Sequence, residues 1–331
     1  SCQVAQISSL SEQQNLISKL TGHSAISGNT LMKDRAGAEY RLLTANYLLG
    51  ELEEFTDERY LHNYRSNGDN VVGLIKSTIT TDSYIVLGAH FDSTPNCPGA
   101  NDNATGTALV FSVARYISQL NSRNHNVLIV FFDEEEKGLV GSKAFAQKIK
   151  DEGLNVHSVH TIDQLGWDED GDKGIELEMP TKELQATYID VAKNLNLEFP
   201  IHYSKVTSTD HRSFRNLGFQ AVGITEEYVN KDTTPHYHKA TDTYETVNFE
   251  YLALNGCDTG PGPDPEKLWT RDEGDCVDIS GATLHGQPMT REDLSEKRKA
   301  TIFQYKNNSA GFSKKQQYSR LARGIGRQRG Q

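Results

Sequence analysis

The apolar run VLIVFF at 127–132 is followed directly by four acids, Asp133 to Glu136. Six consecutive apolar residues of this kind are typical of a central strand in a sheet that is covered on both faces. Four adjacent carboxylates repel one another and raise one another's pKa where such a strand ends. The stretch therefore predicts a buried strand whose end lies where negative charge is needed.

Predicted strands and helices alternate along the rest of the chain. The predicted strands are 71–78, 84–90, 126–132, 156–163 and 219–226, and the predicted helical regions are 9–55, 105–120, 141–150 and 184–195. This alternation predicts an α/β fold, a three-layer α/β/α sandwich around a mixed and mostly parallel central sheet. In such sheets, functional groups gather in the crevice beyond the carboxyl ends of the strands.

Charge is distributed unevenly between the two ends of the chain. The net charge is −11, but 296–331 contain ten Lys/Arg and one acid and carry +9, which leaves −20 on 1–295. An acidic body argues against nucleic acid as its specific partner. The stretch NGCDTGPGPDPE from Asn255 is typical of a linker. We predict one domain with N-terminal helices over 1–255, and a linker with a basic C-terminal extension of unknown fold over 256–331.

The basic extension is expected to mediate self-association or to contact an anionic partner, and a solvated, disordered end is the alternative. No apolar run approaches the ~20 residues that a membrane span needs. Because the first residue is Ser1 rather than Met, we expect a processed chain, secreted or periplasmic, free or surface-associated. The cysteines leave a Cys257–Cys276 bridge and four unpaired thiols equally open, the other two being Cys2 and Cys97.

Polar residues follow the predicted strands or open the next helices at one edge of the sheet. They are His90, Asp92, Asp102, the acids 133–136, Asp163, His236, His238 and Asp242. Each has an ordinary explanation alone, such as a surface histidine, a helix N-cap or a solvated helix start. Together at one edge their charges would destabilise the fold, and a bound cation removes that conflict.

The mixture of imidazole and carboxylate suits zinc better than calcium or magnesium, which prefer oxygen ligands alone. Two histidines with three or four acids exceed the needs of one tetrahedral site. They fit two ions that share a bridging carboxylate, about 3.5–4 Å apart, an arrangement used for hydrolysis. The sequence therefore predicts two Zn²⁺ ions at this edge.

Six motifs, in their order and spacing, resemble the co-catalytic di-zinc aminopeptidases, the secreted bacterial and fungal leucine aminopeptidase type related to glutamate carboxypeptidase. The motifs are GAHFDS, PGANDNATG, DEEEKGLVGS, TIDQLGW, STDHRSFRNLGF and HYHKATDT. The resemblance covers about residues 35–255. It implies an exopeptidase that hydrolyses N-terminal residues from peptides with a free N-terminus, through a metal-bridging hydroxide.

The resemblance also implies a role for each matched residue. His90 and Asp163 match the ligands of the first zinc, Glu136 and His238 those of the second, and Asp102 the bridging aspartate. Asp92 matches the acid that orients the first histidine, and Glu135 matches the general base. The spacing to Gly138 favours Glu135 over Glu134, and the spacing to Asp242 favours His238 over His236.

The sequence departs from the usual motifs at Gln164 and Leu165, where the family usually has Met-Ile, and at Thr209, which precedes Asp210. Neither departure removes a ligand. Three alternatives stay open: a single-zinc glutaminyl cyclase, a glutamate-type carboxypeptidase, and a structural or assembly protein that carries a peptidase-like domain. Metal stoichiometry and the substrate terminus that is consumed would separate them.

Overall fold

The structure is a computed structural model that describes residues 2–195, 197, 199–257, 283–284 and 287–288. The chain divides into two compact units, Ser1–Gly274 and Asp275–Gln331. The described part of the second unit is an antiparallel pair of two-residue strands, β9 (Thr283–Leu284) and β10 (Gln287–Pro288). The basic extension from 296 and the Cys257–Cys276 pairing lie outside the described residues, while Cys97 is a buried free thiol.

The first unit is built on an eight-stranded mixed sheet with the order β1-β2-β4-β3-β5-β8-β6-β7. The strands are β1 (Glu58–Arg65), β2 (Gly68–Ile75), β3 (Ser83–His90), β4 (Asn126–Phe132), β5 (Asn155–Ile162), β6 (Ile175–Glu178), β7 (Ile201–Ser204) and β8 (Ala221–Thr225). The four central strands β4, β3, β5 and β8 are parallel neighbours. β2 and β6 run antiparallel to β4 and β8. The predicted mixed sheet is confirmed.

Helices cover both faces of this sheet. They are α1 (Cys2–Leu20), α2 (Ala38–Glu51), α3 (Gly106–Ser118), α4 (Val140–Asp151), α5 (Lys182–Leu195), α6 (His211–Arg215) and α7 (Phe249–Cys257). No helix among the described residues is both long and apolar enough to cross a membrane.

The central strand β4 separates two apolar cores. Ile129 and Phe131 belong to the core that contains Leu109 of α3, whereas Val130 belongs to the core that contains Phe145 of α4. Successive strand residues point to opposite faces, so an unbroken apolar run fills both cores. Each fully buried side chain of this size contributes roughly 1.5–3 kcal/mol. The three-layer sandwich is thereby confirmed.

The predicted helical region 9–55 contains two helices, α1 and α2, which are separated by a loop over 21–37. α1 ends at Leu20 and the chain turns at Gly22, whose φ is 73°. A Cβ at Gly22 would lie 1.9 Å from the carbonyl oxygen of Met32, so the turn requires glycine. The loop that follows brings Arg35 into the interior, where it is fully buried.

Three strands of the eight-stranded sheet, β1, β6 and β7, were not predicted. β1 has the polar sequence ERYLHNYR and is mostly exposed, since it is the edge strand of the sheet. β6 and β7 have four residues each, and β6 buries two glutamates, Glu176 and Glu178. Short strands with buried acids lack the apolar pattern that marks a strand in a sequence.

Candidate metal centre

The candidate site lies at the carboxyl ends of the central parallel strands. His90 is the last residue of β3, and Asp163 follows β5 directly. Glu135 and Glu136 lie on a short 3-10 turn, Glu135–Lys137, behind β4. Because β4, β3 and β5 are parallel neighbours, their ends bring these side chains to one edge. The apolar runs thus determine where the polar residues meet.

Asp102 lies between two groups of potential ligands. Its Oδ1 is 3.3 Å from His90 Nε2, which is also 3.3 Å from Asp163 Oδ1. Its Oδ2 is 3.2 Å from His238 Nε2, which is 3.0 Å from Glu136 Oε2. Within each group the ligand atoms all lie within 4.8 Å of one another. One carboxylate therefore contributes an oxygen to each of two triplets, which we call the His90 triplet and the His238 triplet.

The chemistry of these side chains fits zinc. Each triplet has one imidazole nitrogen and two carboxylates, a donor set that zinc accepts in hydrolytic sites. Glu136 Oε1 is buried and has no hydrogen-bond partner within the described part of the chain. Burial, reinforced by the charge of Asp102, raises the pKa of Glu136 to about 8. Burial also raises the pKa of Asp163. A divalent cation would offset the free-energy cost of keeping these buried carboxylates ionised, so the residues present fit two zinc ions.

Asp92 connects the His90 triplet to the acidic turn. It is buried, and its Oδ1 lies 3.4 Å from His90 Nδ1. The same carboxylate accepts the backbone N–H of Glu135 at 3.0 Å and of Glu136 at 3.3 Å. Asp92 therefore contacts both the imidazole and the turn that carries two further acids, without contributing an atom to either triplet.

The acids that follow β4 divide into two pairs with different surroundings. Glu134 has a left-handed backbone with φ 59° and is bonded by Arg41 at 2.9 Å and Arg65 Nε at 2.8 Å. Burial opposes its ionisation, but hydrogen bonds led by that from Arg65 lower the pKa of Glu134 to about 2. Asp133 is paired with Arg41 Nε at 2.7 Å. Burial and the charge of Asp92 raise the pKa of Asp133 to about 7, and Arg41 opposes this shift. Both acids are thus paired with cations of the protein itself.

Among the residues that the structure describes, no lysine or arginine is paired with Glu135. Burial raises its pKa well above the ordinary value, with His90 opposing the shift and Asp210 and Asp163 adding to it. The side chain therefore lies within the electrostatic reach of the His90 triplet. The turn thus presents Glu135 and Glu136 to the candidate site, whereas Glu134 is bonded to Arg41 and Arg65.

Replacing Arg41 with Met is expected to destabilise the protein strongly. The side chains of Arg41, Asp133 and Glu134 are 4%, 2% and 3% exposed, and removing one partner of a buried pair costs about 3–5 kcal/mol. Arg59→Met is the matched control, because the Arg59–Glu53 pair is exposed and such pairs contribute about 0–1 kcal/mol. Urea unfolding measures both variants, and equal losses would contradict the role given to Arg41.

The loop at 233–242 brings His238, rather than His236, to the site. His236 Nδ1 is instead bonded to Thr241 Oγ1 at 2.9 Å. Asp242 is buried and accepts the backbone N–H of Asn101 at 2.8 Å and of Asp102 at 3.1 Å. The spacing between His238 and Asp242 thus has a physical meaning, because Asp242 holds the segment that carries the shared carboxylate.

Sequence reasoning missed two further neighbours of the site. The ring of Tyr237 stacks on His238 with centroids 3.8 Å apart; its position between two histidines was the available signal. Arg35 donates to the carbonyl oxygens of Phe91 and Gly99, and so braces the backbone next to Asp92 and Asp102. No local pattern around Arg35 indicates this role.

The departures from the family motifs leave the two triplets complete. Leu165 is buried in the apolar core and Gln164 has a left-handed backbone with φ 53°. Thr209 donates a hydrogen bond to Glu178 and lies beside His211 Nδ1 at 2.8 Å. None of the three residues belongs to a triplet.

Residues 70–256 match a family described as Peptidase family M28. Aminopeptidase YwaD of Bacillus subtilis is 27% identical over 197 residues, which are 56% of this chain and 42% of that protein. A probable leucine aminopeptidase of Trichophyton verrucosum is 26% identical over 270 residues, 75% of this chain and 71% of that protein. The chain therefore spans less than half of the first relative.

A solved structure of the LapA aminopeptidase of Legionella pneumophila shares the fold. It superposes with a TM-score of 0.67 at 21% identity, over 80% of this chain and 70% of that one. At this identity the likeness establishes the architecture of the sheet and its covering helices.

Proposed function

Because the chain belongs to peptidase family M28, we propose that it is a zinc-dependent aminopeptidase that removes N-terminal residues from peptides. The observation that carries this proposal is the position of Asp102, whose two oxygens are shared between the His90 triplet and the His238 triplet. A carboxylate placed in this way serves two ions rather than one. The same observation argues against chemistry that needs a single metal.

The residues of the two triplets divide the ligand roles. His90 and Asp163 would hold one zinc ion, Glu136 and His238 would hold the other, and Asp102 would contact both. When bound, the zinc ions supply a Lewis acid for the scissile carbonyl and lower the pKa of a water to about 7. Asp92 keeps His90 oriented through its contact with Nδ1.

Glu135 is the group placed to move the proton. Its backbone is held by Asp92 at 3.0 Å, on the same turn as the ligand Glu136. In the proposed reaction, Glu135 takes a proton from the attacking water and later gives it to the leaving amine, as general base and then general acid. The backbone contact with Asp92 would hold Glu135 close to the reacting atoms, which is what such a transfer requires.

The surplus of acids also indicates how the substrate is recognised. A free α-ammonium would be attracted to Glu135, an acid of the site that belongs to neither triplet, whereas a blocked N-terminus carries no charge. A charge-assisted hydrogen bond is worth about 1.5–3 kcal/mol. The proposal therefore includes a preference for peptides with a free N-terminus.

Leucine p-nitroanilide is expected to be hydrolysed at least about tenfold faster, in kcat/KM, than N-acetyl-leucine p-nitroanilide, because the acetyl group removes the charge-assisted contact. Release of nitroaniline measures both rates. Neither compound has a C-terminal carboxylate, so hydrolysis also argues against a carboxypeptidase. Equal rates on the free and the blocked compound would overturn the exopeptidase assignment.

The glutaminyl cyclase alternative is tested with a peptide that begins with glutamine. An aminopeptidase releases free glutamine, whereas a cyclase releases ammonia and leaves a pyroglutamyl peptide. Mass spectrometry distinguishes the two products. We expect free glutamine or no reaction, since both triplets are complete in this chain.

A further inference from the structure

Glu226 is a buried carboxylate that belongs to neither triplet but is hydrogen-bonded to the segments that carry their ligands. It follows β8 directly and its side chain is fully buried. Three loop segments carry ligands around it: 100–105 with Asp102, 163–167 with Asp163, and 233–238 with His238. We call these the ligand segments.

All three ligand segments donate hydrogen bonds to the carboxylate of Glu226. The amide Nδ2 of Asn101 lies 3.0 Å from both oxygens. Oε2 accepts the backbone N–H of Gly166 at 3.2 Å and of Trp167 at 2.9 Å. Oε1 accepts the hydroxyl of Thr233 and the backbone N–H of Thr234, both at 2.8 Å. One side chain thus joins three segments that are far apart in the sequence.

The five groups around Glu226 require a carboxylate. Both oxygens are surrounded only by donors, so each must act as an acceptor. A glutamine would turn its NH₂ group toward the N–H of Gly166 and Trp167, or toward Thr233 and Thr234, whichever way the amide was oriented. A buried donor left without an acceptor costs free energy, so this substitution would push the segments apart.

We propose that Glu226 is a positioning residue of the metal centre, which sets the separation of the His90 triplet and the His238 triplet without touching either ion. This inference rests on the proposed function. Asp102, Asp163 and His238 lie on loops, and the backbone N–H of Glu226 also donates to Gln164 O at 2.7 Å, next to Asp163. Fixing these loops to one point determines how the two triplets share Asp102.

Glu226→Gln in the full chain is the test. Loss of a group that orients ligands from outside the coordination sphere typically weakens metal affinity about 10–100-fold. We expect a loss in this range for zinc, measured by competition with a chromophoric chelator. We also expect a changed visible spectrum of the cobalt(II)-substituted protein, which a loss of fold stability alone would not produce.

Glu176→Gln is the matched control. Glu176 is also fully buried, but the one donor that its carboxylate meets among the described residues is the backbone N–H of Val229, which belongs to none of the ligand segments. This variant is expected to keep the wild-type zinc affinity and cobalt spectrum, because glutamine retains an oxygen that can accept the N–H of Val229. If both variants lose zinc affinity equally, the effect is one of general stability and the positioning role is overturned.

The outcomes separate this inference from the proposed function. Wild-type protein that binds no zinc overturns both, whereas two zinc ions bound with unchanged affinity in Glu226→Gln overturn the positioning role alone. If Glu226→Gln does not fold, Thr233→Val decides, because it removes a single donor to Oε1. A weaker zinc affinity and a shifted cobalt spectrum in that variant support the inference, and wild-type values overturn it.

Discussion

Replacing Glu135 with Gln is expected to lower kcat by about 10²–10⁴-fold, the usual contribution of a general base, while both triplets keep their zinc. Glutamine retains the shape of the side chain and leaves the backbone contact to Asp92 intact. It cannot accept the proton of the attacking water. Turnover of leucine p-nitroanilide and zinc content, measured on the same preparation, test this expectation.

Glu134→Gln is the matched control from the same acid cluster. Glu134 is bonded to Arg41, Arg65 and Lys137, so its loss should lower stability and leave kcat near the wild-type value. If the two variants show the opposite phenotypes, the assignment of the acids is wrong by one position. A loss of zinc in Glu135→Gln would instead make Glu135 a ligand.

Replacing Asp102 with Ala is expected to weaken zinc binding at both triplets and abolish hydrolysis at ordinary zinc concentrations. The substitution removes one ligand from each site at once, so the loss of affinity should exceed the 10–100-fold that changes outside the coordination sphere typically cause. Zinc content after dialysis and residual turnover measure the effect.

Glu136→Gln provides the comparison for Asp102→Ala. Only the His238 triplet contains Glu136, so this variant should retain one tightly bound zinc ion and lose the second. If Asp102→Ala also retains one ion with wild-type affinity, Asp102 does not bridge the two sites, and the arrangement of the ligands must be revised.

The sheet and its polar edge could be predicted because both follow from local pattern. The apolar runs of β3, β4 and β5 mark buried parallel strands, and the carboxyl ends of such strands meet. The strand pattern therefore predicts that His90, Glu136 and Asp163 lie together at one edge of the sheet. The structure brings these residues to one edge, and their individual roles stay predictions.

Asp102 and His238 required more than periodicity, since both lie on loops. Their identification depended on the order of the motifs and on the spacing to Asp242. The structure explains this spacing, because Asp242 bonds the backbone of Asn101 and Asp102. Contacts of this kind join distant parts of the chain, so nothing in the window around His238 could reveal them.

Long-range contacts also explain what the sequence left undecided. The orientation of the Glu134 side chain depends on hydrogen bonds from Arg41 of α2 and Arg65 of β1. Glu226 is the first of two adjacent glutamates at the end of a strand, and only the fold shows that three segments donate hydrogen bonds to it. A polar residue whose partners are far apart in the sequence leaves no local signal.

Titration of metal-free protein with zinc tests the central claim most directly. Hydrolysis of leucine p-nitroanilide is followed as zinc is added in known equivalents, and bound zinc is determined at the end point. Because Asp102 gives one oxygen to each triplet, full activity is predicted to require two zinc ions per chain. Full activity with a single equivalent, unchanged by further zinc, would contradict the two-metal account.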